Sequence, residues 1–335
     1  MRIGYFLSSE EYSPRELLQQ ARWAQESGFQ GLWISDHFHP WNDQQGHSPF
    51  VWSMLGALAQ ATTLKVTTAV TCPTVRLHPA VVAHAAATAA VLLEGRFALG
   101  VGSGEALNEH ILGDRWPSAS ERLEMLEEAV AVIRLLWEGG VQSHRGTHYR
   151  VDHARLYDLP EQVPPIIVSG FAPQSISLAA RIGDGFATTK PDRDAVTRFR
   201  GEAAAGASRL VAGGTKVCWG DDAAACRATA YRLWPNEGLS GELAQILPTP
   251  EHFEQACDLV TEEMVAEAVP CGPDLEAQIE SFERYARAGF DELYVQQIGG
   301  ASERFFEVYA RDVLPRFDAA DSKAGRRRSE LPAGA

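Results

Sequence analysis

The chain has 335 residues, of which 45% are hydrophobic and 22% charged, an ordinary globular composition that can bury a large core. Its formal net charge of -14 and pI near 5.2 argue against nucleic acid or an anionic membrane as partner, although a pocket on an acidic protein can still be locally basic. Five widely spaced cysteines (Cys72, Cys218, Cys226, Cys257 and Cys271) form no C-x-x-C pair, which argues against a disulfide framework or a structural zinc site.

The first residues, M-R-I-G-Y-F, enter strand-like sequence at once. They contain no signal-peptide core, and no apolar run is long enough to span a bilayer, so a cytoplasmic protein acting on a small molecule is expected. Strand-like runs then recur at 3–6, 32–35, 65–70, 97–101, 165–169, 185–189, 216–219 and 293–297. Segments of helical periodicity separate them, the pattern of a parallel sheet built from βα units. Ser13 is a plausible N-cap with Pro14 at the first helical position, and that helix is expected to end at Gly28. Residues 139–164 read as a hairpin excursion, and about 220–285 as a helical insertion, since no flexible linker bounds it. Eight strands close a barrel, so the expected fold is a (β/α)8 TIM barrel with insertions, one domain over 1–316. Residues 317–335 read as a disordered tail.

Barrel chemistry sits on the loops after the strands, and several polar stretches fall there. Asp36, His37, His39 and Trp41 follow the second strand; Cys72, Thr74 and Arg76 follow the third; Glu105 and Asn108 follow the fourth. Ser169 and Gly170 end the fifth strand, and Thr188, Thr189 and Lys190 end the sixth. G-V-G-S-G-E-A-L-N-E-H at 100–110 has G-x-G-x-G spacing, unlike a dinucleotide loop, and its acid reads either as a functional carboxylate or as one stabilised by a helix N-terminus. His37 reads as a proton-transfer group or as a hydrogen-bonded strand end, and His39 as a structural residue of the turn. Trp41 reads as a site wall or as ordinary packing. Cys72 reads as a small wall residue and not a thiolate nucleophile. H-x-H after an early barrel strand also begins some metal sites, but the fifth, sixth and eighth strands end in S-G-F, T-T-K and Q-Q-I-G without further ligands, so no catalytic metal is expected.

S-D-H-F-H-P-W, Q-G-H-S-P-F, T-C-P-T-V-R-L-H-P, G-V-G-S-G-E-A-L-N-E and A-A-R-I-G-D-G-F together resemble the luciferase-like flavin and deazaflavin oxidoreductases, in particular the branch around F420-dependent glucose-6-phosphate dehydrogenase. The resemblance runs from about residue 3 to 316. It implies a homodimeric barrel binding coenzyme F420, with FMN as the alternative cofactor and a flavin monooxygenase as the alternative activity. A non-catalytic flavin carrier is a third reading, against which the pair His37 and Glu105 argues. Carried over by motif, His37 is the base for a substrate hydroxyl, Glu105 an acid near the ring, and Trp41 a wall that stabilises developing charge. Asp36, Ala69, Val70, Cys72 and Asn108 belong to the cofactor site, with Ala69 and Val70 matching a non-prolyl cis peptide of relatives. Ser169, Gly170 and Ala172 match a loop whose amides cradle the cofactor phosphate, and Lys190 matches a substrate-phosphate cation. One departure stands out: no Lys or Arg occurs between Arg232 and Arg284, where the insertion carries seven glutamates from Glu237 to Glu267, which argues against glucose 6-phosphate as substrate.

Overall fold

The computed structural model describes residues 1–203 and 210–317. Most of the tail expected over 317–335 therefore lies outside the described residues. Among the described residues there are ten strands: β1 (Arg2–Leu7), β2 (Leu32–Ile34), β3 (Val66–Thr68), β4 (Phe97–Val101), β5 (Gln142–Arg145), β6 (Arg150–Ala154), β7 (Ile166–Ser169), β8 (Gly185–Thr188), β9 (Leu210–Val217) and β10 (Glu292–Gln297). Eight of them close a parallel barrel in the order β1-β10-β9-β8-β7-β4-β3-β2, the TIM-barrel architecture expected from the sequence. β5 and β6 pair antiparallel outside the barrel and form the hairpin expected within 139–164.

Local chemistry accounts for the elements. Ser13 caps helix Pro14–Glu26 through a capping box with Glu16, and Gly28 closes the turn at φ 89°. Strand alternation divides the core in two. Trp33, Ala98, Ile167, Ala187, Ala212 and Tyr294 fill the barrel interior, where Trp33 and Tyr294 stack at 4.5 Å. Tyr5, Phe29, Phe305 and Phe306 pack between the strands and the outer helices. Gly4 is required because a Cβ there would lie 2.4 Å from the Tyr294 ring.

Two boundaries differ from expectation. The seventh barrel strand begins at Leu210, well before the expected 216, and ends at Val217. Gly213 and Gly214 are glycines because a Cβ would crowd Tyr285 at 2.9 Å and Trp33 at 2.9 Å. The insertion is shorter than 220–285, because helix Leu275–Ala288 is the barrel helix before β10 and packs Phe282 and Tyr285 into the main core. Helices Ala223–Leu233 and Glu262–Ala268 share a small core with Cys218, Trp234, Ile298 and part of Trp41, and helix Pro250–Cys257 meets Trp41 through Phe253. Among the described residues no helix is long and apolar enough to cross a membrane.

Candidate active site

The loop after β2 is held rigidly at the barrel mouth. Ser48 Oγ donates to the His37 carbonyl at 2.7 Å, and Asn108 Oδ1 accepts from the Phe38 and His39 amides at 2.8 and 3.0 Å. His39 Nδ1 lies 2.9 Å from the Leu107 carbonyl, so His39 is the structural residue of the turn. Beyond Pro40, Gln45 accepts from the Trp41 amide, and Asn42 and Gln45 both donate to the Leu233 carbonyl at 3.0 and 2.9 Å. The loop is thereby clasped to the insertion.

His37 stands between two acids. Its Nε2 lies 3.3 Å from Glu10 Oε1 and 3.5 Å from Glu105 Oε1, while Nδ1 lies 3.1 Å from the His39 carbonyl. A carbonyl only accepts, so Nδ1 carries hydrogen and Nε2 is the nitrogen that gains or loses a proton. Glu10 is buried at the end of β1, where its other oxygen accepts from Ser8 Oγ at 2.9 Å and Ser35 Oγ at 2.7 Å. Its carboxylate is thus fixed beside the imidazole. The Trp41 ring is 5.0 Å from His37 and meets Phe253 of the insertion edge-on at 5.1 Å.

Glu105 precedes a helix of only four residues, Ala106–Glu109, too short for a sizeable dipole. Its carboxylate turns to His37 and accepts from Asn108 Nδ2 at 2.5 Å. Both contacts fall on Oε1. Beside it, Ala69, Val70, Ser103 and Gly104 are partly exposed, and the Ala69–Val70 peptide is cis. Gly102 backs directly onto Val70, since a Cβ there would meet Val70 Cγ2 at 2.7 Å. The result is a platform poor in side chains, suited to a flat ring. Cys72 sits behind it, buried against Thr74 Oγ1 at 2.9 Å, and burial pushes its thiol well above the ordinary range, as befits a wall residue.

Three groups expected at the cofactor site have partners within the chain. The Asp36 carboxylate is buried away from the mouth, bound by Arg76 Nη2 at 2.9 Å and Thr71 Oγ1 at 2.8 Å. Arg76 also reaches Glu109, which burial pushes up to about 7 against the pull of that arginine. Asn108 is almost wholly buried and joins the β2 loop to Glu105. In the loop after β7, the Ala172 amide donates to Ser175 Oγ at 3.1 Å and the Gly170 amide to the Ala187 carbonyl at 3.2 Å, so these amides are spent within the protein. Ser169 is partly exposed at the strand end and Lys190 is exposed beyond β8.

Glu10 was not among the sequence candidates. The signal was present in S-S-E-E-Y, directly after the first strand, and the strand-end rule applied to that strand finds it.

A luciferase-like monooxygenase family model matches residues 1–292. F420-dependent glucose-6-phosphate dehydrogenase of Microbacterium testaceum is 36% identical, covering 94% of this chain and 97% of that protein. The solved structure of an F420-dependent secondary alcohol dehydrogenase with an F420-acetone adduct matches at TM-score 0.86 and 30% identity, covering 94% of this chain and 98% of that one. A type II Baeyer-Villiger monooxygenase of Pseudomonas putida in complex with FMN shares the fold, at TM-score 0.68 and 19% identity over 94% of this chain and 98% of that one.

Proposed function

The chain belongs to the luciferase-like monooxygenase family, and from that membership we propose that it is a coenzyme F420-dependent oxidoreductase that moves a hydride between an alcohol and the deazaflavin. The observation that carries this reading is His37 Nε2 held within 3.3 Å of Glu10 and 3.5 Å of Glu105 beside the flat platform at 69–70 and 102–104. The platform fits a planar ring: its surface is backbone and small side chains, and Glu105 stands at its edge. Relatives of 36% and 30% identity that are named for F420 support the choice of cofactor.

When bound, the deazaflavin supplies the two-electron hydride acceptor. The chain supplies the proton chemistry. His37 Nε2 takes the proton of the substrate hydroxyl, and Glu10, fixed by Ser8 and Ser35, stabilises the imidazolium and keeps the ring in orientation. Glu105, with Oε1 anchored by Asn108, is the acid at the edge of the ring platform. Trp41 excludes water from the His37 side and passes the position of the insertion to the site. Ala69 and Val70 line the ring platform, and Cys72 backs it.

The substrate is an alcohol or carbonyl compound without a phosphate. The relatives' name specifies glucose 6-phosphate, but the insertion over this mouth has no Lys or Arg between Arg232 and Arg284. A phosphate dianion buried without cationic partners is strongly disfavoured.

The test is a fluorescence titration of the purified protein with the deazaflavin and, in parallel, with FMN. Tight deazaflavin binding with weak FMN binding is expected. Tight FMN binding with oxygen consumption would move the protein to the flavin monooxygenases and remove the proton roles given to His37 and Glu105.

A further inference from the structure

The barrel order divides the mouth into two arcs. β3 and β4 carry the ring platform and Glu105, and β7 and β8 continue that arc; β2, β1, β10 and β9 form the other. β2 and β1 lead into His37 and Glu10, while Gln296 and Lys216 are register partners across β10 and β9. Registered residues of parallel strands share a face, and two-residue alternation puts both on the face of Tyr294, which stacks on Trp33 inside the barrel. Each is also the next-to-last residue of its strand, so both point into the barrel just below its mouth.

These side chains are in unusual states. Gln296 is 1% exposed, and its Nε2 has no hydrogen-bond partner among the described residues. A buried amide donor without an acceptor is disfavoured, and its retention calls for an acceptor from outside the chain. Lys216 Nζ lies 2.7 Å from Glu237 Oε1 and 4.4 Å from the centre of the Trp234 ring, both residues of the insertion. Trp234 is itself fixed by donating Nε1 to Glu11 at 2.7 Å. The lysine charge is therefore balanced before any substrate arrives, but an ammonium has three hydrogens and Glu237 uses one.

We propose that Gln296 and the Lys216–Glu237 pair form a specificity site for the uncharged, oxygen-rich end of the substrate, a polyol or hydroxyketone, and that Glu237 excludes anionic substrates by masking Lys216. Gln296 Nε2 and the remaining Lys216 hydrogens donate to neutral oxygens. A phosphate or carboxylate would have to displace Glu237 and then lie beside it. This substrate class rests on the proposed alcohol oxidation, but the masking of Lys216 is testable without turnover.

Inorganic phosphate is titrated calorimetrically into the deazaflavin-loaded protein. No binding to the wild type is expected, a clear gain in Glu237→Gln, and loss of that gain in the double variant Lys216→Met with Glu237→Gln. Equal phosphate binding by wild type and Glu237→Gln overturns the proposal. In turnover, with 2-propanol, glucose and glucose 6-phosphate as probes, Gln296→Leu should raise the KM for the neutral probe the wild type uses by about tenfold with kcat within about twofold. Deazaflavin affinity should be unchanged, and a fall confined to deazaflavin affinity overturns the assignment to the substrate arc. If no probe is oxidised while Glu237→Gln gains phosphate, the masked lysine stands and the fault lies with the proposed reaction.

Discussion

His37 is useful because of its neighbours. A lone strand-end histidine has two nitrogens competing for the same proton, whereas here Nδ1 is committed to the His39 carbonyl and only Nε2 faces the mouth. Replacing His37 by Ala is expected to leave deazaflavin affinity nearly intact and to reduce turnover by about 100-fold or more, the scale of a general base. Stopped-flow reduction of the bound cofactor checks this, and near-normal turnover would remove His37 from the reaction. Asp36, one residue earlier, has different partners because the adjacent side chain of an extended segment points the other way, toward Arg76 and Thr71. From the sequence, both residues of the S-D-H stretch are polar groups at a strand end. Which of them meets the mouth is a matter of direction.

At the scale of elements, the short helix Ala106–Glu109 joins the loops after β2 and β4 through one side chain. Asn108 accepts two amides of the β2 loop and donates to Glu105. Asn108→Ala would leave buried donors unpaired, so a loss of about 1–3 kcal/mol in urea-denaturation stability is expected, larger than any change in deazaflavin affinity. Unchanged stability with lost affinity would return Asn108 to the cofactor site. Helix Pro14–Glu26 was legible because its cap is local: Ser13, Pro14 and Glu16 act within one turn. β9 was misjudged because its glycines answer to Trp33 and Tyr285, which lie far away in the sequence.

For the whole molecule, Glu11 ties three parts of the chain together, accepting from Trp234 Nε1 of the insertion and from the Gly299 amide after β10. Burial pushes its carboxyl up to about 7 from an ordinary value of 4.5. The native state therefore holds a proton that the unfolded state releases between those values, and stability falls as pH rises through that window. The denaturation midpoint of the wild type should drop between pH 5 and pH 8, and Glu11→Gln should flatten that slope; an unaltered slope would mean that Glu11 is ionised in the folded protein. The alternation of strand-like and helical periods determined the barrel by itself, because each βα unit writes its pattern over a few consecutive residues, and the same patterning brought His37, Trp41 and Glu105 to one face. Only the tertiary structure decided that Glu10 braces His37, that Asp36 and Asn108 turn inward, and that Glu237 covers Lys216. Those pairings join residues that are distant in the chain, and their direction and burial are set when the barrel closes and the insertion folds over it.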